Sequence, residues 1–270
     1  MLPRALRQPF FDVYAFCRTA DNLADESPDI QTALDGIAQY RTQIQRIYEG
    51  DPVSGIFVAL GKTIGELNLP RKPFDDLLDA FVQDQSIDRY EDEPQLIEYC
   101  QRSANPVGRL VLAMAQCDNE ENVQLSDEIC TGLQLANFWQ DVARDFKIGR
   151  IYLPASIMRR FGLDEELIRD GVKNRITAQP VRQAIAHQCA EAMKRFQSGL
   201  PLIEKVPKWL AADLELFIRG GMATLNKIEQ SDYDVLRRRV RVSKLQQAWM
   251  VGRILLKRPF FRNPTPMVNA

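Results

Sequence analysis

The chain has 270 residues, 45% hydrophobic, 26% charged and 9% aromatic, with Lys+Arg 35 against Asp+Glu 36 for a formal net charge of −1. That length and apolar share suit one large domain with a sizeable core, and they exclude the disordered and collagen-like classes. A single histidine, His187, excludes mechanisms that need two, and the five cysteines (Cys17, Cys100, Cys117, Cys130, Cys189) have no CxxC spacing, which argues against structural zinc.

Taken in chain order, the periodicity is helical almost throughout. Pro9 suits the first position of a helix, where its missing N–H costs nothing, and the pattern runs to about residue 26 before Ser27-Pro28 breaks it. Further helical windows fall at 29–49, 53–67, 73–90, 94–116, 126–147, 174–199, 208–230 and 242–257, with Gly and Pro turn signals between them. Strand-like alternation is confined to Ile151-Tyr152-Leu153. The expected fold class is therefore all-α, a single domain over 1–270 without repeats or linkers.

No secretory h-region follows the basic start, and no apolar run approaches the ~20 residues that a spanning helix needs. With an odd cysteine count, this predicts a cytoplasmic chain with reduced thiols. The charge is uneven: Arg237 to Ala270 carries nine basic residues and no acid, leaving 26 basic against 36 acidic groups before it. Such a tail fits anionic ligands or surfaces as well as it fits a solvated helix face. Its later part, with Trp249, Ile254, Leu255, Phe260 and Phe261, has the character of a basic amphipathic helix, a candidate for peripheral contact with the inner membrane. No nucleic-acid partner is expected.

Aspartates are distributed unevenly. Six Asp–Asp pairs occur at i,i+4, the spacing that stacks side chains on one helix face, where chance predicts about 1.6. Asp29, Asp75, Asp79 and Asp92 sit among polar residues and read as a solvated face. Asp21 and Asp25 continue a stripe with Tyr14 and Arg18, flanked by Phe10, Phe11, Val13, Phe16 and Leu23. Asp141 and Asp145 repeat the arrangement with Gln134 and Asn137, flanked by Leu135, Phe138, Trp139 and Phe146. Carboxylate pairs on otherwise apolar helices require cations. Two readings are open: hard oxygen ligands for Mg²⁺ bridging to a diphosphate, or internal salt-bridge networks through Arg18 and Arg144.

Three segments resemble the squalene/phytoene synthase family of head-to-head isoprenyl diphosphate synthases. Tyr14-Ala-Phe-Cys-Arg-Thr-Ala-Asp-Asn-Leu-Ala-Asp25 is similar to its first Asp-rich motif. Asn137-Phe-Trp-Gln-Asp-Val-Ala-Arg-Asp145, followed by Gly149-Arg-Ile-Tyr-Leu-Pro154, is similar to its second. Tyr99-Cys-Gln-Arg-Ser-Ala-Asn-Pro-Val-Gly108 is similar to the helix between them. The resemblance spans essentially the whole chain and implies an isoprenoid synthase fold, helices around a central apolar cavity. Leu135-Ala-Asn-Phe-Trp-Gln-Asp-Val-Ala143 and Arg219-Gly-Gly221 with Ile228–Leu236 resemble the hydroxysqualene synthase branch.

By position, the resemblance implies that Asp21, Asp25, Asp141 and Asp145 hold Mg²⁺ and diphosphate, supported by Arg18 and Asn137. It puts Tyr99 near the reacting carbons, beside the alternative of an ordinary half-buried tyrosine. Tyr14, Tyr233 and Arg239 become candidate substrate-binding groups, and Asp84 stands behind the site. The Gly149–Tyr152 stretch is either a loop closing on the site or a turn with a packed tyrosine. Phe10, Phe11, Phe138 and Trp139 line either a hydrocarbon tunnel or the core.

The implied reaction takes presqualene diphosphate to hydroxysqualene by diphosphate loss, cation rearrangement and water capture, upstream of a separate reductase. The alternatives are coupling of two prenyl diphosphates such as farnesyl diphosphate, and a non-catalytic helical assembly factor. Asn22 and Gln140 depart from the commoner family pattern, and Gln140 favours the hydroxysqualene branch. Relatives carry about twenty further residues before Leu2-Pro3 that cap the diphosphate, so an N-terminal family segment is expected to be missing here.

Overall fold

The computed structural model describes residues 2–239. A 3-10 turn at Arg4–Leu6 opens into α1 (Arg7–Glu26), followed by α2 (Ile30–Glu49), α3 (Ile56–Leu67), α4 (Lys72–Gln83) and α5 (Glu93–Ser103). Then come α6 (Asn105–Met114), α7 (Glu120–Lys147), α8 (Ala155–Arg160), α9 (Glu165–Asn174), α10 (Gln179–Gly199), α11 (Leu202–Lys205) and α12 (Lys208–Gln230). The all-α class expected from periodicity is observed. Ile151-Tyr152-Leu153 is not a strand; Ile151 forms an isolated bridge with Arg89. Among the described residues no helix is long and apolar enough to cross a membrane. The helix expected at 242–257, with its membrane-contact reading, lies outside the described residues.

Several boundaries depart from the expected windows, each for a local reason. The window 94–116 is two helices. Pro106, in the first turn of α6, has no N–H to continue an i−4 ladder, and Ala104 breaks the helix at φ −120°. The window 73–90 stops at Gln83 because residues 88–91 spend their carbonyls on a neighbouring loop: Ile151 N–H donates to Asp88 O at 3.0 Å and Ala155 N–H to Tyr90 O at 2.9 Å. Helix α7 starts six residues before its window, capped by Asn119, whose side chain accepts from Asn122 N–H at 3.0 Å. The short α8 and α9 escape periodicity altogether, and Arg175 at φ 56° ends α9 so that α10 begins at Gln179, not residue 174.

Two apolar clusters form the core. One joins α7 to α10 and α12 around the fully buried Trp139 and Phe196. A Cβ on Gly221 would overlap the Phe196 ring, so only glycine lets α12 approach this closely. The other joins α1 to α4 around Phe16, whose ring meets Phe74 edge-on at 5.2 Å. The Asp-bearing helices, α1 and α7, are thus anchored in different clusters, and the candidate site lies between them.

Candidate active site

A cavity of about 370 Å³ opens between α1, α4, α5, α6 and α7. Helix α1 lines it with Tyr14, Arg18, Asp21 and Asp25, and the C-terminal end of α4 adds Asp84. Tyr99 and Ser103 come from α5, Gln134 from α7, and Arg150 and Tyr152 from the loop after α7. Leu77, Phe81 and Val107 give it an apolar wall. Six residues expected to act together, Tyr14, Arg18, Asp21, Asp25, Asp84 and Tyr99, are therefore gathered in one place.

The first Asp stripe is more open than its apolar flanks suggest. Tyr14 is 64% and Phe11 65% exposed, since among the described residues no other helix covers this face of α1. Among the described residues Phe11 is not part of the core and does not line the cavity. Phe138 and Trp139 are core, as one of the two readings had it.

The loop that delivers Arg150 and Tyr152 is built by a helix stop. Gly149 at φ 87° takes the left-handed conformation that other residues avoid. Its N–H donates to Phe146 O at 3.1 Å, while Arg150 N–H donates to Asp145 O at 2.9 Å, the paired bonds of a Schellman cap. Arg89 fastens the turn from outside through Nη1 to Gly149 O at 2.6 Å. As a result the Arg150 guanidinium stands 3.8 Å from Asp25 Oδ1 and 3.4 Å from the backbone oxygen of Asp84. Tyr152 stacks on Phe138 with ring centroids 3.7 Å apart, and Tyr99 and Tyr90 complete an aromatic cluster. Arg150 and Tyr152 fall in the stretch read from the sequence either as a loop closing on the site or as a turn with a packed tyrosine; both line the cavity. Gln134, read from the sequence as part of the second Asp stripe, also lines the cavity; Ser103 is not singled out by the sequence, and among the described residues its Oγ is buried without a hydrogen-bond partner.

Burial and mutual repulsion dominate the electrostatics of several of these acids. Burial pushes the Asp84 carboxyl up to about 6, although Arg150 and the Tyr99 hydroxyl pull it down. Burial and the neighbouring Asp141 push Asp145 up to about 7. Asp21 is raised by burial and by Asp25. Burial raises the Tyr152 hydroxyl to about 12 and holds Tyr99 further up, so both stay protonated donors at neutral pH.

The salt bridges of the second reading also form: Arg18 Nη1 lies 2.8 Å from Asp21 and Arg144 Nη1 3.6 Å from Asp141. Arg239 grips Asp141 more tightly, Nε to Oδ1 at 2.5 Å and Nη2 to Oδ2 at 2.8 Å. Among the described residues no three acid, Cys or His side chains converge on one metal position. Mg²⁺ commonly takes only one or two carboxylates, with water and phosphate oxygens completing its shell. Hard oxygen donors, with Asp141 already carrying a guanidinium, therefore fit such a cation. Five expected residues, Asn137, Asp141, Asp145, Tyr233 and Arg239, are not among those lining the cavity. Asn137 is exposed one turn before Asp141. Tyr233 sits beside Glu229 and Cys189, packed against the α7–α10–α12 core, and is not among the residues lining the cavity.

The squalene/phytoene synthase family profile matches residues 1–246. The chain belongs to that family. Its members are isoprenoid synthases that handle prenyl diphosphates with a divalent metal. The crystal structure of squalene synthase HpnC from Alicyclobacillus acidocaldarius superposes with a TM-score of 0.79 at 40% identity, covering 86% of each chain. Presqualene diphosphate synthase of Rhodopseudomonas palustris is 30% identical over 232 residues, 83% of this chain and 82% of that protein. Hydroxysqualene synthase of the same organism is 36% identical over 155 residues, 57% of this chain and 52% of that protein.

Proposed function

We propose that this chain converts presqualene diphosphate to hydroxysqualene. The observation that carries the reading is the Tyr99–Asp84 hydrogen bond, 3.1 Å long, set in an aromatic cluster facing the Asp21 and Asp25 carboxylates. The 36% identity to a hydroxysqualene synthase over 155 residues supports the choice within the family. A bound divalent metal supplies the charge that lets diphosphate depart. Asp21, Asp25, Asp141 and Asp145 are its proposed holders, and Arg18 and Arg150 add fixed positive charge at the cavity wall. The C–O bond breaks with its electron pair going to diphosphate. The rings of Tyr99 and Tyr152, backed by Phe138, then present their faces to the cyclopropylcarbinyl cation while it rearranges. Leu77, Phe81 and Val107 keep that wall dry until one water adds at carbon. The proton released by that water passes to Asp84, whose pKa near 6 suits a general base.

The second reading is coupling of two farnesyl diphosphates to presqualene diphosphate, favoured by the presqualene diphosphate synthase match, which covers more of the chain than the hydroxysqualene synthase match. Purified protein with Mg²⁺ and either substrate, without a nicotinamide cofactor, separates the two by mass spectrometry. Hydroxysqualene from presqualene diphosphate alone is expected. Presqualene diphosphate formed from farnesyl diphosphate would replace the first reading with the second, and no product from either would sink both.

A further inference from the structure

The two-pronged contact of Arg239 with Asp141 has no counterpart in the first Asp pair, where Arg18 touches only one oxygen of Asp21. Its Nη2 hydrogen-bonds Asp141 Oδ2, its Nε lies against Oδ1 as an ion pair without hydrogen-bond geometry, and it leans on Gln140 Oε1 at 3.5 Å. Asp141 keeps 12% of its side chain exposed while Arg239 keeps 40%, so the arginine is the outer, removable partner. It is also tethered. Three residues earlier, the buried Leu236 donates its N–H to Thr177 Oγ1 at 3.1 Å, and Thr177 donates to Asp234 at 2.6 Å. Arg182 fixes the same stretch through Asp232 at 2.9 Å. Freed from Asp141, the guanidinium remains within one side-chain length of the site.

A guanidinium on both oxygens and a divalent cation on the same carboxylate exclude one another. We propose that Arg239 is a resident counter-ion of Asp141 that is exchanged for the divalent cation when diphosphate arrives, so that metal and diphosphate bind with positive coupling. The inference rests on the metal–diphosphate reading given above and concerns how that site fills. Metal alone must displace Arg239 and leave it without an anion. With diphosphate present, the displaced guanidinium gains charge-assisted hydrogen bonds to phosphate oxygens, which offsets the lost contact. Coupling through a shared group is reciprocal: whatever diphosphate adds to metal affinity, metal adds to diphosphate affinity.

Calorimetric titration of the full chain with Mg²⁺, with inorganic diphosphate, and with each in the presence of the other measures this coupling without turnover. In the unaltered protein each ligand is expected to tighten the other by roughly five- to tenfold. Arg239→Gln is expected to bind Mg²⁺ alone more tightly, to bind diphosphate more weakly and to lose most of the coupling, while Arg239→Lys retains part of it. Equal Mg²⁺ affinity and undiminished coupling in a folded Arg239→Gln would overturn the exchange and leave the metal–diphosphate reading intact. Failure of the unaltered protein to bind Mg²⁺ even with diphosphate would overturn both.

Discussion

Tyr99 and Asp84 meet across the gap between α5 and the end of α4, the phenol donating to Oδ2 at 3.1 Å. Asp84 caps the C-terminus of α4, where the helix dipole is itself negative, so the bond holds a carboxylate in an unfavourable position. Tyr99→Phe removes the donor and keeps the ring. Turnover is expected to fall by roughly 10- to 100-fold, in line with loss of one positioned polar group, with unchanged helicity. Steady-state kinetics and circular dichroism check this; full turnover would show that the hydroxyl has no part in the chemistry.

Asp84 also predicts how stability depends on pH. Its folded-state pKa of about 6 exceeds the ordinary value of 3.8, so the folded chain holds its proton more tightly. That contribution is intact below pH 3.8 and is lost as pH rises through 6, costing at most about 3 kcal/mol at neutral pH. Asp84→Asn is expected to raise Tm by several degrees at pH 8, with the gain vanishing toward pH 4. Thermal melts across that range test the sign.

Arg150 serves Asp25, Asp84 and Asp145 together. Without it the carboxylates face one another unscreened, and their burial cost grows as they ionise. Arg150→Gln should therefore melt lower than the parent at pH 8 and about level with it at pH 5, and should turn over substrate at least about tenfold more slowly. A uniform Tm loss at both values would point to packing and not to charge.

The Schellman cap gives a test of the loop alone. Gly149→Ala places a side chain at φ 87° with no atom in its way, so the cost is conformational, about 1 kcal/mol, or a Tm drop of about 2–4 °C. Because Arg150 and Tyr152 follow directly, kcat should fall with it. A melt shift without a kinetic effect would separate the turn from the site.

Asp21→Asn and Asp141→Asn address the carboxylate pairs. Each should remove about 99% of turnover or more, as loss of a metal ligand does. Asp21→Asn should leave Tm equal or higher, since burial and Asp25 already hold its carboxyl above the usual range. Retained activity in both variants would refute the metal assignment.

Much of this was readable in the chain. The i,i+4 spacing put each Asp pair on one helix face, and both pairs sit where periodicity predicts. The stripe through Tyr14, Arg18, Asp21 and Asp25 lines one cavity as expected. Periodicity could not supply what depends on the approach of distant segments. Arg150 gains its role from a left-handed turn and from bonds to residues 84–91 far back in sequence, and nothing in helical spacing encodes those. Tyr233 shows the converse: a position carried by resemblance alone, it packs against the same apolar cluster as Tyr99 but is not among the residues lining the cavity. The split at Ala104 was legible in principle, since Pro106 forbids the ladder that a continuous window assumes.

The cap that joins Asp145 to Arg150 makes the distance between them along the chain mechanical. The carbonyl of the second motif's last aspartate is itself the acceptor for the arginine's N–H. Carboxylate and guanidinium therefore behave as opposite ends of one rigid bracket. Lengthening or shortening the five-residue step from 145 to 150 would turn the Arg150 guanidinium out of the cavity while leaving every residue type unchanged, so this short spacing is as much a part of the candidate site as the residues that bound it.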